Sequence, residues 1–179
     1  LAILAAYVWH AARVDNPVIK LSLLKIATFR AGVVGASFFR IGVGAMPFLL
    51  PLMLQLGFGL TPFQSGLITL AAAAGALVMK ITAAPILRRF GFRPVLIWNA
   101  VICAVFLIAN GLFTITTPHA VIILVLLIGG FFRSLEFTAI NALAYADIKP
   151  ADMSSATSFA SVAQQVSLSL GVALGALIL

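Results

Sequence analysis

Acidic side chains are almost missing from this chain. Four carboxylates, Asp15, Glu136, Asp147 and Asp152, stand against eleven lysines and arginines in 179 residues, and only 8% of the residues are charged. Soluble domains carry about 25% charged residues, so a water-facing shell cannot be built from this composition. Cysteine occurs once, at Cys103 inside an apolar run, which excludes a disulfide framework and a cysteine metal cluster. The two histidines, His10 and His119, are far apart and read as interfacial residues rather than metal ligands. No Ser/His/Asp, Cys/His or paired-carboxylate grouping is present, so the chain is not read as an enzyme, and no metal or cofactor is expected. Strand-like alternation and low-complexity tracts are also lacking.

What the sequence has is hydrocarbon. Hydrophobic residues make up 63% of the chain, with a mean hydropathy of +1.21. A membrane-spanning helix needs about 20 mainly apolar residues at about 1.5 Å each. Five such runs are read, at about 31–58, 63–87, 95–116, 120–146 and 155–179. The expected fold class is therefore all-α, a polytopic bundle of transmembrane helices in a lipid bilayer. Residues 1–12 read as the end of a preceding spanning helix, 13–30 as a cytoplasmic linker, and 31–179 as an incomplete bundle. The chain opens without Met inside one apolar run and stops inside another, so it is expected to be part of a longer protein.

The placement of positive charge supports this division. Arg13, Lys20, Lys25 and Arg30 fall in the linker, Arg88, Arg89 and Arg93 in the second connection, and Lys149 in the fourth. The first and third connections carry no Lys or Arg. Alternation of basic and bare connections puts the basic ones on the cytoplasmic side of a cell membrane. Trp9, Trp98 and Tyr145 fall near the same helix ends, where amphipathic rings settle. Eleven cations spread over five apolar segments make no contiguous basic face, which argues against a nucleic-acid partner.

Arg40, Lys80, Arg133 and Glu136 remain inside the spans. Charges near the bilayer midplane cost at least about 2.5–3.5 kcal/mol each and normally face a bundle interior or a wet cavity. Lys80, seven residues from its expected helix end, is expected to snorkel to the interface. Arg40 has two readings, an interhelical anchor or a cavity residue that holds substrate or faces Glu136. Arg133 and Glu136, three apart on one face, make either a self-neutralising pair or a titrating carboxylate tuned by its neighbour. Three polar stripes point to a cavity. Arg40, Gly44, Pro47 and Pro51 form one; Ser134, Thr138 and Asn141 a second; Ser154, Ser158, Ser161, Gln165 and Ser169 a third. The pair Gly171 and Gly175 has the spacing of close helix packing.

Several motifs resemble the major facilitator superfamily, in particular its fourteen-helix drug:proton antiporter branch. The run from Pro51 through Gln55, Gly57, Thr61-Pro62 and Gly66-Leu67 is similar to that branch's junction between the first two helices of its second half. Arg89-Phe90-Gly91-Phe92-Arg93 resembles a remnant of the superfamily's cytoplasmic loop motif. Ala84 and Arg88 replace that motif's first Gly and its Asp. The segment Asn141 to Asp147, followed by a serine-rich helix, also fits. The resemblance implies that residues 31–179 correspond to helices seven to eleven of a twelve-helix core, in the C-terminal half of a bacterial inner-membrane protein. It implies proton-coupled efflux of drugs or other small amphipathic compounds by alternating access, with protons as coupling ion and the N-terminal half as partner.

On this reading Glu136 and Arg133 are proton-coupling candidates. Arg40, Ser134, Thr138, Asn141, Ser161 and Gln165 are substrate-cavity candidates, and Arg89, Gly91 and Arg93 are the loop remnant. Competing readings are a transporter of one defined metabolite and a non-transporting membrane scaffold or sensor.

Overall fold

A computed structural model describes residues 20–178, and within them every regular element is helical. The expected preceding helix, residues 1–12, and the first part of the linker lie outside the described residues. After a short 3₁₀ turn at Leu21–Lys25 come α1 (Ala27–Gly44), α2 (Met46–Leu52), α3 (Pro62–Phe90), α4 (Phe92–Gly111), α5 (His119–Tyr145) and α6 (Met153–Ile178). Among the described residues, with α1 and α2 counted together, five segments are long and apolar enough to cross a membrane.

Local chemistry sets the boundaries. The first span is interrupted at Ala45, with Pro47 in the first turn of α2 and Pro51 inside it. Proline removes a backbone donor and crowds the preceding turn. The span then widens into a π-helical turn over Met53–Gly57 and ends at Gly59. There a φ of 69° lets the Leu60 amide reach back to the Leu54 carbonyl at 3.1 Å. α3 starts at a capping box: the Gln64 amide donates to Thr61 Oγ1 at 3.3 Å, and the Thr61 amide to Gln64 Oε1 at 3.0 Å. Pro62 occupies the first helical position, where no donor is needed.

Two expectations are corrected. The connection expected at Arg88–Pro94 shrinks to one residue, because α3 continues to Phe90 and α4 begins at Phe92. Arg88 and Arg89 favour that extension by sitting at the negative end of the helix dipole. Gly91 makes the joint, with φ 77° and ψ 162°, a conformation essentially confined to glycine. The third span stops at Gly111 rather than near residue 116. Beyond it, Thr117 Oγ1 accepts from the Thr114 amide at 2.9 Å, the threonine hydroxyl offering the backbone an alternative to helix.

The helices pack by close backbone approach. The most extensive contact joins α3 to α5, followed by α1 with α6 and α4 with α5. A methyl group added at Gly75 would overlap the Leu127 carbonyl, and one at Gly130 the Ala72 carbonyl. Gly171 meets Gly44 and the Ile41 carbonyl in the same way, so the glycine pair read from the sequence does mark an interface. Side chains fill the ends. Leu54, Ile68 and Ile122 form a cluster at one end; Leu23, Phe29, Ile148 and Ala156 form another at the opposite end. At this second end Lys20 Nζ pairs with Asp152 at 2.8 Å, and Thr28 Oγ1 donates to Asp147 at 2.8 Å. α3 and α5 run side by side toward this end, joined by Met79, Ala83, Leu135 and Ala139, so the Arg88–Arg93 segment emerges there too. The basic segments share one end of the bundle. Large apolar side chains cover the outside; Ile81 and Leu177 are each 82% exposed.

Candidate functional site

The charged residues inside the spans lie at similar depth. From the basic end, Arg40, Lys80, Arg133 and Glu136 stand about 14–20 Å along their helices, near the middle of an about 30 Å hydrocarbon layer. The extension of α3 to Phe90 carries Lys80 deeper than the sequence expectation. It lines a cavity together with Arg133.

Two adjoining cavities occupy the space bounded by α1, α2, α3, α4 and α5. The larger, about 350 Å³, is walled chiefly by apolar groups, including Met46, Pro47, Leu50, Phe106 and Leu126, with Thr69 and Asn110 as polar points. The second, about 330 Å³, is walled by Lys80, Arg133, Ser134, Phe137, Thr138 and Asn141 between Ala76 and Gly130. Ala76, Gly130 and Arg133 belong to both. The tight α3–α5 crossing at Gly75 and Gly130 places the two cavities together, since larger residues there would hold the helices apart. Of the sequence candidates, the structure brings Arg133, Ser134, Thr138 and Asn141 onto one wall.

Arg40 stands behind that wall. It is buried, its Nη2 donates to Asn141 Oδ1 at 3.4 Å, and its guanidinium lies 5.7 Å from the Phe137 ring centre. A desolvated cation–π contact of this kind is worth about 2 kcal/mol. The buried Nε of Arg40 has no hydrogen-bond partner among the described residues. Arg40 therefore anchors α1 to α5 through two residues that line the cavity. The stripe that contained it divides: Gly44 packs on α6, while Pro47 and Pro51 face the larger cavity.

Glu136 turns the other way. It is 4% exposed and accepts from Asn99 Nδ2 of α4 at 2.7 Å; the same nitrogen lies 2.9 Å from the Phe132 carbonyl. The ion pair with Arg133 that the three-residue spacing allowed is absent. Among the described residues the only ion pair is Lys20 with Asp152. The physical reason is the packing of α5 between α3 and α4. Arg133 points to the cavity and Glu136 to the α4 interface, about 60° apart around the helix. Asn99 is the partner that sequence reasoning missed. An amide within the apolar third span was the available signal, and that span holds a second, Asn110, which donates to the Phe106 carbonyl at 2.7 Å.

Ser161 and Gln165 line neither cavity. α6 presents Ala156, Ser167, Gly171 and Gly175 inward, which leaves Ser154, Ser161, Gln165 and Ser169 on its exposed side. Arg89, Gly91 and Arg93 sit at the α3–α4 joint, Arg89 with its guanidinium 5.9 Å from the Phe90 ring centre. No group of three His, Cys, Asp or Glu residues suited to a metal occurs among the described residues.

A family model described as Major Facilitator Superfamily matches residues 7–179. Relatives named MdtD, provisionally described in their names as multidrug resistance proteins, align over nearly the whole chain. The Serratia proteamaculans protein is 32% identical over 179 residues, covering 100% of this chain and 38% of its own length. The Yersinia enterocolitica protein is 33% identical over 176 residues, covering 98% of this chain and 38% of its own. The Klebsiella pneumoniae protein is 32% identical over 179 residues, with coverages of 100% and 38%. The chain thus spans 38% of the length of these curated relatives. No solved structure matches it.

Proposed function

The chain belongs to the major facilitator superfamily, and from that premise we propose that it contributes one side of the translocation path of a secondary transporter that exports small amphipathic compounds in exchange for protons. The carrying observation is the pair of adjoining midplane cavities, one mainly apolar and one lined by polar and charged groups, which suits a ligand with both characters. Midplane sites between rocking bundles are how such transporters alternate access. The exposed stripe Ser161, Gln165 and Ser169 would face the remainder of the protein, a role that accounts for polar groups on the outer side of a spanning helix. Glu136 is the proposed proton carrier, being the one acid at depth among the described residues. Asn99 is its partner, and Arg133 acts from the cavity side.

Reconstitution of the complete protein tests this. In inverted membrane vesicles holding an acid interior, addition of a substrate should dissipate the pH gradient, read as recovery of acridine orange fluorescence. A panel of amphipathic compounds that leaves the gradient untouched, with the protein present and folded, would remove the export reading.

The basic end is proposed to face the cytoplasm of a bacterial inner membrane, supported by the charge alternation and by the shared end of the linker, the Arg88–Arg93 joint and the Asp147–Asp152 segment. With Cys103 replaced by alanine, single cysteines at Ser22 and Phe92, both exposed, should react with a membrane-impermeant maleimide only after the cells are opened. Labelling in intact cells would reverse the orientation.

A further inference from the structure

We propose that the paired cavities select an organic anion: an apolar body in the larger space and an anionic head, carboxylate, sulfonate or phosphate, between Lys80 and Arg133. This deepens the transport reading and rests on it for its biological meaning, though not for its chemistry.

The argument is one of charge balance. Lys80 and Arg133 line the smaller cavity, and Arg40 stands behind its Asn141–Phe137 wall, with its buried Nε unpartnered. Among the described residues no carboxylate lines either cavity. Glu136, on the same helix as Arg133, is directed at Asn99, and no carboxylate lies within salt-bridge distance of Arg133 among the described residues. Among the described residues, two cations at this depth, with a third behind them, have no carboxylate partner. Each is costly in a low-dielectric layer unless water or an anion compensates it. A guanidinium fork suits a planar or tetrahedral oxyanion, and the lysine ammonium adds a point charge. The Ser134 and Thr138 hydroxyls on the same wall already donate to the Ala76 and Ser134 carbonyls, so the two cations carry the recognition. Arg133 belongs to both cavities, so the head would be held where the apolar space begins. A cationic head of the same size would meet like charges there and no acceptor of opposite sign.

The test uses the complete protein in nanodiscs of phosphatidylcholine and two probes with the same ten-carbon tail, decanesulfonate and decyltrimethylammonium. Binding is read by calorimetric titration. The sulfonate should bind about tenfold or more tightly than the ammonium compound. Lys80→Gln, at an exposed position and therefore expected to fold, should shrink that preference several-fold, and Lys80→Gln with Arg133→Gln should erase it. Equal binding, tighter binding of the cation, or a preference that survives in the folded Lys80→Gln variant and in Arg133→Gln alike would overturn the inference. Nanodiscs containing phosphatidylglycerol separate two sources of the same chemistry: loss of sulfonate binding there marks a lipid headgroup as the natural occupant, and unchanged binding marks a free solute. The proton-gradient assay decides the transport reading separately. Export of the ammonium compound alone would uphold transport and refute the anion site.

Discussion

Valine in place of Gly75 should leave very little folded protein. The added carbons would enter space already taken by the Leu127 carbonyl and the Phe131 amide, in the most extensive helix contact of the bundle. A side-chain clash can be relieved by a rotamer change, but a backbone carbonyl inside a helix cannot move without breaking its ladder. Overpacking costs typically about 1–3 kcal/mol where side chains yield, and this site belongs at or above the top of that range. Gly130→Val should behave alike, because it meets the Ala72 carbonyl from the opposite side. Gly35 is the control. Nothing lies within 4 Å of a methyl group there, and alanine in a helix is favoured by about 1 kcal/mol over glycine. Detergent-solubilised protein tagged with a fluorescent reporter would show the outcome by size-exclusion profile and melting temperature. A monodisperse Gly75→Val protein that melts with the parent would mean that the α3–α5 crossing is looser than the structure has it.

The second large effect is functional. Glu136→Gln should fold normally and lose proton-driven export. Glutamine keeps a carbonyl oxygen to accept from Asn99 Nδ2, which now donates to Glu136 Oε2 at 2.7 Å. Arg133 makes no ion pair with Glu136, so removing the carboxylate's charge strands no buried partner. Glu136→Leu is the informative contrast. It deprives the Asn99 amide of a buried acceptor, at a cost of about 1–3 kcal/mol, and should damage folding as well. Asn99 is suited to either form of the acid. Its Nδ2 donates to a carboxylate, and after a half-turn of the amide its Oδ1, buried and now without a partner, could accept from a carboxylic acid. If the glutamine variant moves substrate with an undiminished dependence on the pH gradient, the proton travels elsewhere in the complete protein.

The five spans and the segregation of charge were legible because lipid imposes a length and a polarity on every segment, and both can be counted along the chain. Helix ends were less so. The expectation that α3 stops near Leu87 treated Arg88 and Arg89 as loop residues, whereas their charges suit the last helical turn. Residues 112–116 were absorbed into the third span because an apolar run with threonines resembles helix until a hydroxyl, here that of Thr117 just beyond it, takes a backbone amide. Within the candidate site, helical spacing put Ser134, Thr138 and Asn141 on one face, and depth in the span singled out Arg133. The pairing of Arg133 with Glu136 did not hold, because spacing places two residues within reach without saying which neighbouring helix each one meets. Asn99 belongs to a different helix, and nothing in one sequence announces that contact.

The joint at Gly91 gives α3 and α4 a mechanical property that loops elsewhere in the bundle lack. One residue bridges at most about 3.6 Å, so the basic end of α3 and the first turn of α4 cannot separate or slide independently. The segment of 112–118, by contrast, leaves slack between α4 and α5. The two spans on either side of Gly91 are therefore tied to each other at their basic ends alone. A displacement of Arg89 or Arg93 is thus shared by the ends of two helices, the one that carries Lys80 and the one that carries Asn99.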